Sequence, residues 1–180
     1  MLIQKSLQFQ NEMVAHIEQK LINYNAQKLE IEEAIRKNDS VGQGIASLVE
    51  TRATPREISK FKFHVEDTEK ITNLLVSLSG RLARTESSLA QNNPKEDESN
   101  LIAKRDKLQD QLNEAKMLQE NIEKRSTVVS NFLQKYFSPS EFQDFSAFLE
   151  QKSKLIMESR ELSDKISLSE EQMRVLTKRM

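Results

Sequence analysis

The stretch TPREISKFKFHVEDTEKITNLLVSLSGRLARTESSLA, residues 54–90, decides the fold. Its apolar and small residues recur at seven-residue steps. One series is Phe61, Thr68, Leu75, Leu82 and Leu89. The other is His64, Ile71, Leu78 and Thr85, with Val65 beside it. Two interleaved heptad series mark a helix that buries one narrow edge against another helix. The stretch also begins like a helix: Thr54 can cap, Pro55 suits the first helical position, and Glu57 suits the third. One residue resists the pattern. Gly80 sits in the helix interior, where glycine costs about 1 kcal/mol relative to alanine.

The same two signals recur on either side. In the N-terminal segment one seam runs Leu7, Val14, Leu21, Lys28, Ile35, Gly42, Val49. Its companion runs Ile3, Gln10, Ile17, Tyr24, Ile31, Asn38, Ile45, Arg52. The run KNDSVGQG, with Gly42 and Gly44, predicts a kink or local break there. SPSE at residues 138–141 repeats the helix-start signal of TPRE twelve heptads earlier, and EFQDFSAFL echoes EISKFKFHV. We read this echo as the same cap chemistry reached twice rather than as a duplication. A third helix carries Leu101, Leu108, Ala115, Ile122, Val129 and Tyr136, with Leu112 and Leu133 on the second series. A fourth carries Phe148, Leu155, Leu162 and Leu176, with Ile166, Met173 and Met180. The expected helices span roughly 1–52, 55–90, 99–137 and 139–179, with a loop at 91–98 around Pro94.

Composition agrees with long helices. Charged residues are 31% and apolar residues 37%, there are three glycines and three prolines, and tryptophan is absent. That apolar supply suits a seam better than a globular core. Helices of nearly forty residues would be roughly 55–60 Å long. Alone in water, helices this polar are marginal, so they must pair. The fold expected is all-α, an elongated coiled coil of long helices paired along their apolar edges. The seam expected is Leu75, Leu78, Leu82, Leu108, Leu112, Leu155, Leu162 and Ile166, which the resemblance given below makes the seam of a segmented antiparallel homodimer.

Function classes fall away by the same route. Net charge is −1 and no run of five like charges occurs, against nucleic-acid binding. No apolar run approaches membrane-spanning length, and residues 1–9 do not read as a signal peptide. Cysteine is absent, and His16 and His64 lie in different helices without a second ligand type at metal spacing. No phosphate loop or nucleophile motif is present, so neither an enzyme nor a cofactor is expected. The aromatic group Phe132, Tyr136, Phe137, Phe142, Phe145 and Phe148 reads as a packed junction between consecutive segments.

With Leu75, Leu78 and Leu82 on the seam, a second face of helix two carries Lys70, Asn73, Leu74, Ser77, Gly80, Arg81, Arg84 and Ser88. Small residues let another helix come close, and arginines grip carboxylates in pairs of hydrogen bonds. The same face would also serve as solvated surface or as a contact within the protein's own assembly. Lys152, Lys154 and Arg160 make the last helix locally basic and are a possible extension of a partner surface.

EKITNLLVSLSGRLARTESSL (69–89) resembles the second Apx/Shroom domain, the C-terminal module of the Shroom family of actin-associated cytoskeletal regulators. LQENIEKR (118–125) and KSKLIMESRELSDKISLSEEQM (152–173) match the same family, and HIEQKL and GQGIASLVE match more loosely. The resemblance implies a segmented antiparallel helical dimer that binds the coiled coil of Rho-associated kinase. It implies delivery of that kinase to apical cell junctions, where phosphorylation of myosin II drives contraction, in the cytoplasm and on the cytoskeleton. Actin would be reached indirectly, through the rest of the protein. By motif, the kinase contact falls on Ser77, Ser79, Gly80, Arg81 and Arg84, with Lys70 and Leu74 extending the face. Two other classes compete: a structural spacer of the spectrin-like kind, expected to be a compact monomer, and a curved membrane-binding dimer, disfavoured by the near-neutral charge.

Overall fold

The computed structural model describes residues 1–91 and 97–178. Four helices follow one another: α1 (Leu2–Arg52), α2 (Pro55–Ala90), α3 (Glu98–Tyr136) and α4 (Pro139–Lys178). Most of the expected 91–98 loop, and the seam position Met180, lie outside the described residues. The chain divides into two compact units, Met1–Lys37 with Met157–Met180, and Asn38–Ile156.

In the first unit, the N-terminal part of α1 and the C-terminal part of α4 pair antiparallel. Ile17 and Leu162 are buried, and Gln10 Nε2 donates to the Leu176 carbonyl at 2.9 Å. Ser169 is buried as well, at a heptad position that carries no apolar residue. Ile3 and Leu7 occupy seam positions yet stay exposed.

In the second unit, α2 and α3 form an antiparallel hairpin. Ile71, Leu78 and Leu82 pack with Leu108, Leu112, Ala115 and Ile122, and Leu75 closes on them half-buried. Each fully buried Leu or Ile contributes about 1.5–3 kcal/mol. A second cluster gathers all four helices: Ile45 and Val49 of α1, Phe61 of α2, Val129, Phe132 and Leu133 of α3, and Phe145 and Phe148 of α4, with Phe137 from the turn before it. The aromatic junction is therefore not confined to consecutive segments, because α1 and α2 supply three of its nine buried residues.

The two helix starts in this cluster are chemically reciprocal. Thr54 and Glu57 form a full capping box, with Thr54 N donating to Glu57 Oε1 at 3.0 Å and Glu57 N to Thr54 Oγ1 at 3.3 Å. Ser138 and Glu141 do the same at 2.9 and 3.1 Å. Arg52, the last residue of α1, then donates to Glu141 Oε1 at 2.9 Å and to the Tyr136 carbonyl at 3.0 Å. Tyr136, the last residue of α3, donates its hydroxyl to Glu57 Oε1 at 2.7 Å. Each corner thus holds the cap glutamate of the other. Arg52 and Tyr136 are 84 residues apart. The same offset pairs Ile45 with Val129, Val49 with Leu133, Phe61 with Phe145 and His64 with Phe148, every one buried. Phe61 and Phe145 meet each other, ring centroids 5.7 Å apart. The echo in the sequence is therefore more than two separate caps: it is a local twofold arrangement that ties the corners together.

The break expected at KNDSVGQG does not occur. α1 runs unbroken through it. Asn38 turns inward and its Nδ2 donates to the Phe148 carbonyl at 3.1 Å. Gly42 faces the Phe148 ring so closely that an added Cβ would sit 2.5 Å from the ring carbon Cε2. The glycine serves close approach rather than bending. Gly44 has open space around its missing Cβ. Gly42→Ala should therefore destabilise by about 1–3 kcal/mol through overpacking, whereas Gly44→Ala should stabilise by about 0.5–1 kcal/mol through helix propensity. Urea denaturation of the two variants checks the opposite signs.

Candidate functional site

α2 works with two faces because its heptad stripe is narrow. Leu78 and Leu82 turn toward α3 and are buried, and Leu75 is half-buried beside them. On the same hairpin, Leu108 and Leu112 complete that seam from α3. Leu155 and Leu162 are buried on α4, and Ile166 is half-buried. All the expected seam residues are thus covered to some degree within one chain.

A flank of α2, about 100° around the helix from the seam, stays open. Lys70, Leu74, Ser79, Arg81 and Arg84 are exposed, and Ser77 and Gly80 are half-buried. Leu74 keeps 43% of its surface in solvent, an apolar patch between cations. The steps 70, 74, 77, 81 and 84 follow three-and-four spacing, which brings these side chains into one stripe along the helix. Ser79 lies off that stripe.

At its C-terminal end the stripe meets α3. A groove of about 200 Å³ is lined by Arg81, Arg84, Thr85 and Ser88 of α2 and by Leu101 and Lys104 of α3. Thr85 and Leu101 are buried. The Thr85 hydroxyl is already satisfied, donating to the Arg81 carbonyl at 2.9 Å. Among the described residues, three cations therefore sit around this opening. Lys104 was not expected here. It is separated in the chain from Arg84 by the polar Pro94 segment, and heptads do not say which helix folds back on α2.

Farther along the hairpin a second groove of about 440 Å³ includes Phe63, His64, Asp67, Ile122, Arg125 and Val128. Arg125 pairs with Asp67 at 3.8 Å across the two helices. Burial holds the His64 imidazole below its ordinary value of 6.5; Asp67 opposes that shift and Arg125 adds to it. His64 is thus a seam histidine, and among the described residues no cluster of His, Cys, Asp and Glu suits a metal ion. No described helix is long and apolar enough to cross a membrane.

The basic patch on the last helix is spent internally. Lys152 is 17% exposed, reaches Glu69 at 3.3 Å and Asp39 at 3.9 Å, and lies 5.7 Å from the centre of the Phe148 ring. Arg160 pairs with Asp164 at 3.7 Å. At the corners, the Arg52 guanidinium pulls the Glu141 carboxyl down to about 2. Backbone donation from Thr54, and then the Tyr136 hydroxyl, lower Glu57.

Because the folded state holds His64 less protonated than the unfolded chain does, stability should fall as pH drops through about 6.5. The lowered glutamates lose their contribution only in stronger acid, below the ordinary carboxylate value of 4.5. Melting temperature should therefore decline between about pH 7 and 5.5, and His64→Leu should flatten that decline. Thermal melts followed by circular dichroism across this range provide the check.

The chain matches the Apx/Shroom domain ASD2 family over residues 4–180. It is 40% identical over 146 residues to Protein Shroom3 of Xenopus laevis, covering 79% of this chain and 8% of that protein. It is 36% identical over 168 residues to Protein Shroom3 of Homo sapiens, covering 92% and 8%. Protein Shroom of Drosophila melanogaster is 36% identical over 167 residues, covering 93% and 10%. The chain spans about a tenth of the length of these curated relatives.

Proposed function

This chain belongs to the Apx/Shroom domain ASD2 family, and from that premise we propose that it is a non-catalytic module that binds the coiled coil of Rho-associated kinase. The observation that carries the proposal is the open stripe Lys70, Leu74, Ser77, Gly80, Arg81 and Arg84 on a helix whose other face is closed by α3. A helix laid along this stripe would bury Leu74, approach closely over Ser77 and Gly80, and meet Arg81 and Arg84 with its carboxylates. Ser79 lies on the side of α2 away from the stripe and would not share this contact. In the cell the module would localise the kinase to the actin cytoskeleton at apical junctions and promote its action on myosin II. The contact with actin itself would come through other parts of the protein.

Self-association belongs to the same proposal. The seam residues are already covered within one chain, so a homodimer on Leu75, Leu78, Leu82, Leu108 and Leu112 would form by exchanging helices between two chains. Light scattering of the free module reads this directly: twice the chain mass supports the exchange, and the chain mass alone discards it. A structural spacer makes no use of the open stripe and would not bind the kinase segment at all.

The double variant Arg81→Glu, Arg84→Glu should lose at least about tenfold in affinity for the kinase coiled coil. Its helical content should stay intact, because both side chains are exposed. Titration calorimetry with a coiled-coil fragment of the kinase, paired with circular dichroism, separates loss of contact from loss of fold. Unchanged affinity would remove the stripe from the binding surface.

A further inference from the structure

We infer that the docking stripe continues past Lys70 to an apolar anchor, the groove flanked by Phe63 of α2 and Val128 of α3, which receives a leucine-like or aromatic side chain of the same partner helix. This rests on the docking function proposed above and adds the second end of the contact. The spacing shows the continuity. Phe63, Asp67, Lys70, Leu74, Ser77 and Arg81 follow one another at alternating steps of four and three. That alternation keeps side chains in one line along a helix. The line from Phe63 to Arg81 runs about 27 Å.

The groove at its N-terminal end suits an apolar guest. Phe63 keeps 63% of its surface in solvent and Val128 50%, both on residues that gain from being covered. Between them lies a space of about 440 Å³ whose lining includes the buried residues His64, Ile122 and Val129. Burial lowers the His64 pKa from 6.5, so this floor carries no charge at neutral pH. Asp67 and Arg125 also line the groove, and they face each other at 3.8 Å. An apolar side chain entering beside Phe63 therefore meets carbon and a neutral ring rather than a buried ion.

The length of the line chooses the guest. Phe63 and Arg81 are 18 residues apart. A helix lying along α2 reaches both only if it is itself unbroken for about five turns, as a coiled-coil strand is. It would carry an apolar residue near one end of the contact and carboxylates near the other, where Arg81 stands. An extended peptide would gain less, because α2 offers no unpaired strand edge to hydrogen-bond.

Phe63→Ala is the direct test, with Phe9→Ala as its control. Both rings are 63% exposed, but Phe9 belongs to the first compact unit and Phe63 to the second. Affinity is measured by calorimetry with the kinase coiled-coil fragment used for the arginine variant, and light scattering gives the mass of each free variant. Phe63→Ala should weaken binding about fivefold or more, and Val128→Ser should weaken it by a smaller factor. Phe63→Leu should keep most of the affinity, and Phe9→Ala should bind like the parent. Melting temperature and mass should stay unchanged in all four. If Phe63→Ala and Val128→Ser bind like the parent while Arg81→Glu, Arg84→Glu does not, docking stands and the apolar anchor is wrong. Normal binding by the arginine variant would remove the stripe, and the extension with it, whatever Phe63→Ala does. Equal losses in Phe63→Ala and Phe9→Ala would reduce the effect to general stickiness and overturn the anchor. A lower mass for Phe63→Ala than for the parent would assign the groove to a second copy of the chain and overturn it too.

Discussion

Closure of α2 on α3 is the contact on which the rest depends. With 37% apolar residues spread over four long helices, the apolar supply suits narrow edges rather than a broad core. Ile71, Leu78 and Leu82 commit that edge of α2 to Leu108, Leu112, Ala115 and Ile122. Once it is committed, the outward face is free to carry residues that a core would reject: a glycine, two serines and three cations. The helix penalty of Gly80, about 1 kcal/mol, is small against the burial of even one seam leucine. The seam therefore makes the open stripe possible.

The corner cluster supplies what a two-helix seam lacks. A narrow heptad contact leaves helices free to slide by a turn, since neighbouring registers bury similar side chains. Here the slide is opposed by contacts that have no equivalent one turn away. Phe148 fits only against Gly42, Asn38 holds the Phe148 carbonyl, and the two cap glutamates are each held by the last residue of the opposite helix pair. Arg52 and Tyr136 do related work with different chemistry. One is a charge that reaches a carboxylate and a carbonyl, the other a phenol that reaches a carboxylate alone. Because both cap glutamates remain partly in solvent, their value lies in geometry more than in net energy.

Much of this was legible in residues 54–90 and their echoes. The all-α class followed from periodicity, and the heptad count picked out Phe61, His64, Ile71, Leu78, Leu82 and Thr85, the buried positions of α2. TPRE and SPSE announced two capping boxes. What stayed hidden was pairing. A heptad states that an edge must be covered but not by which helix, so neither the α2–α3 hairpin nor the arrival of Lys104 beside Arg84 could be read in advance. Gly42 was misread for a related reason: glycine marks a bend or a close approach with the same letter, and the deciding neighbour, Phe148, is far along the chain. Lys152 looked like surface charge until Glu69, Asp39 and Phe148 were seen around it.

The family gives this chain its setting, and the geometry assigns its two faces different tasks, one to hold the hairpin and one to meet a partner. The claim beneath both is that α2 and α3 are a single cooperative unit. Hydrogen–deuterium exchange of the free module, resolved by peptide along the chain, tests it most directly. The account predicts that amides of residues 71–85 and 108–122 exchange together and slowly, at the rate set by opening of the whole hairpin. Rapid exchange of residues 74–84 while α3 stays protected would show α2 to be a loosely held helix, and would contradict the account.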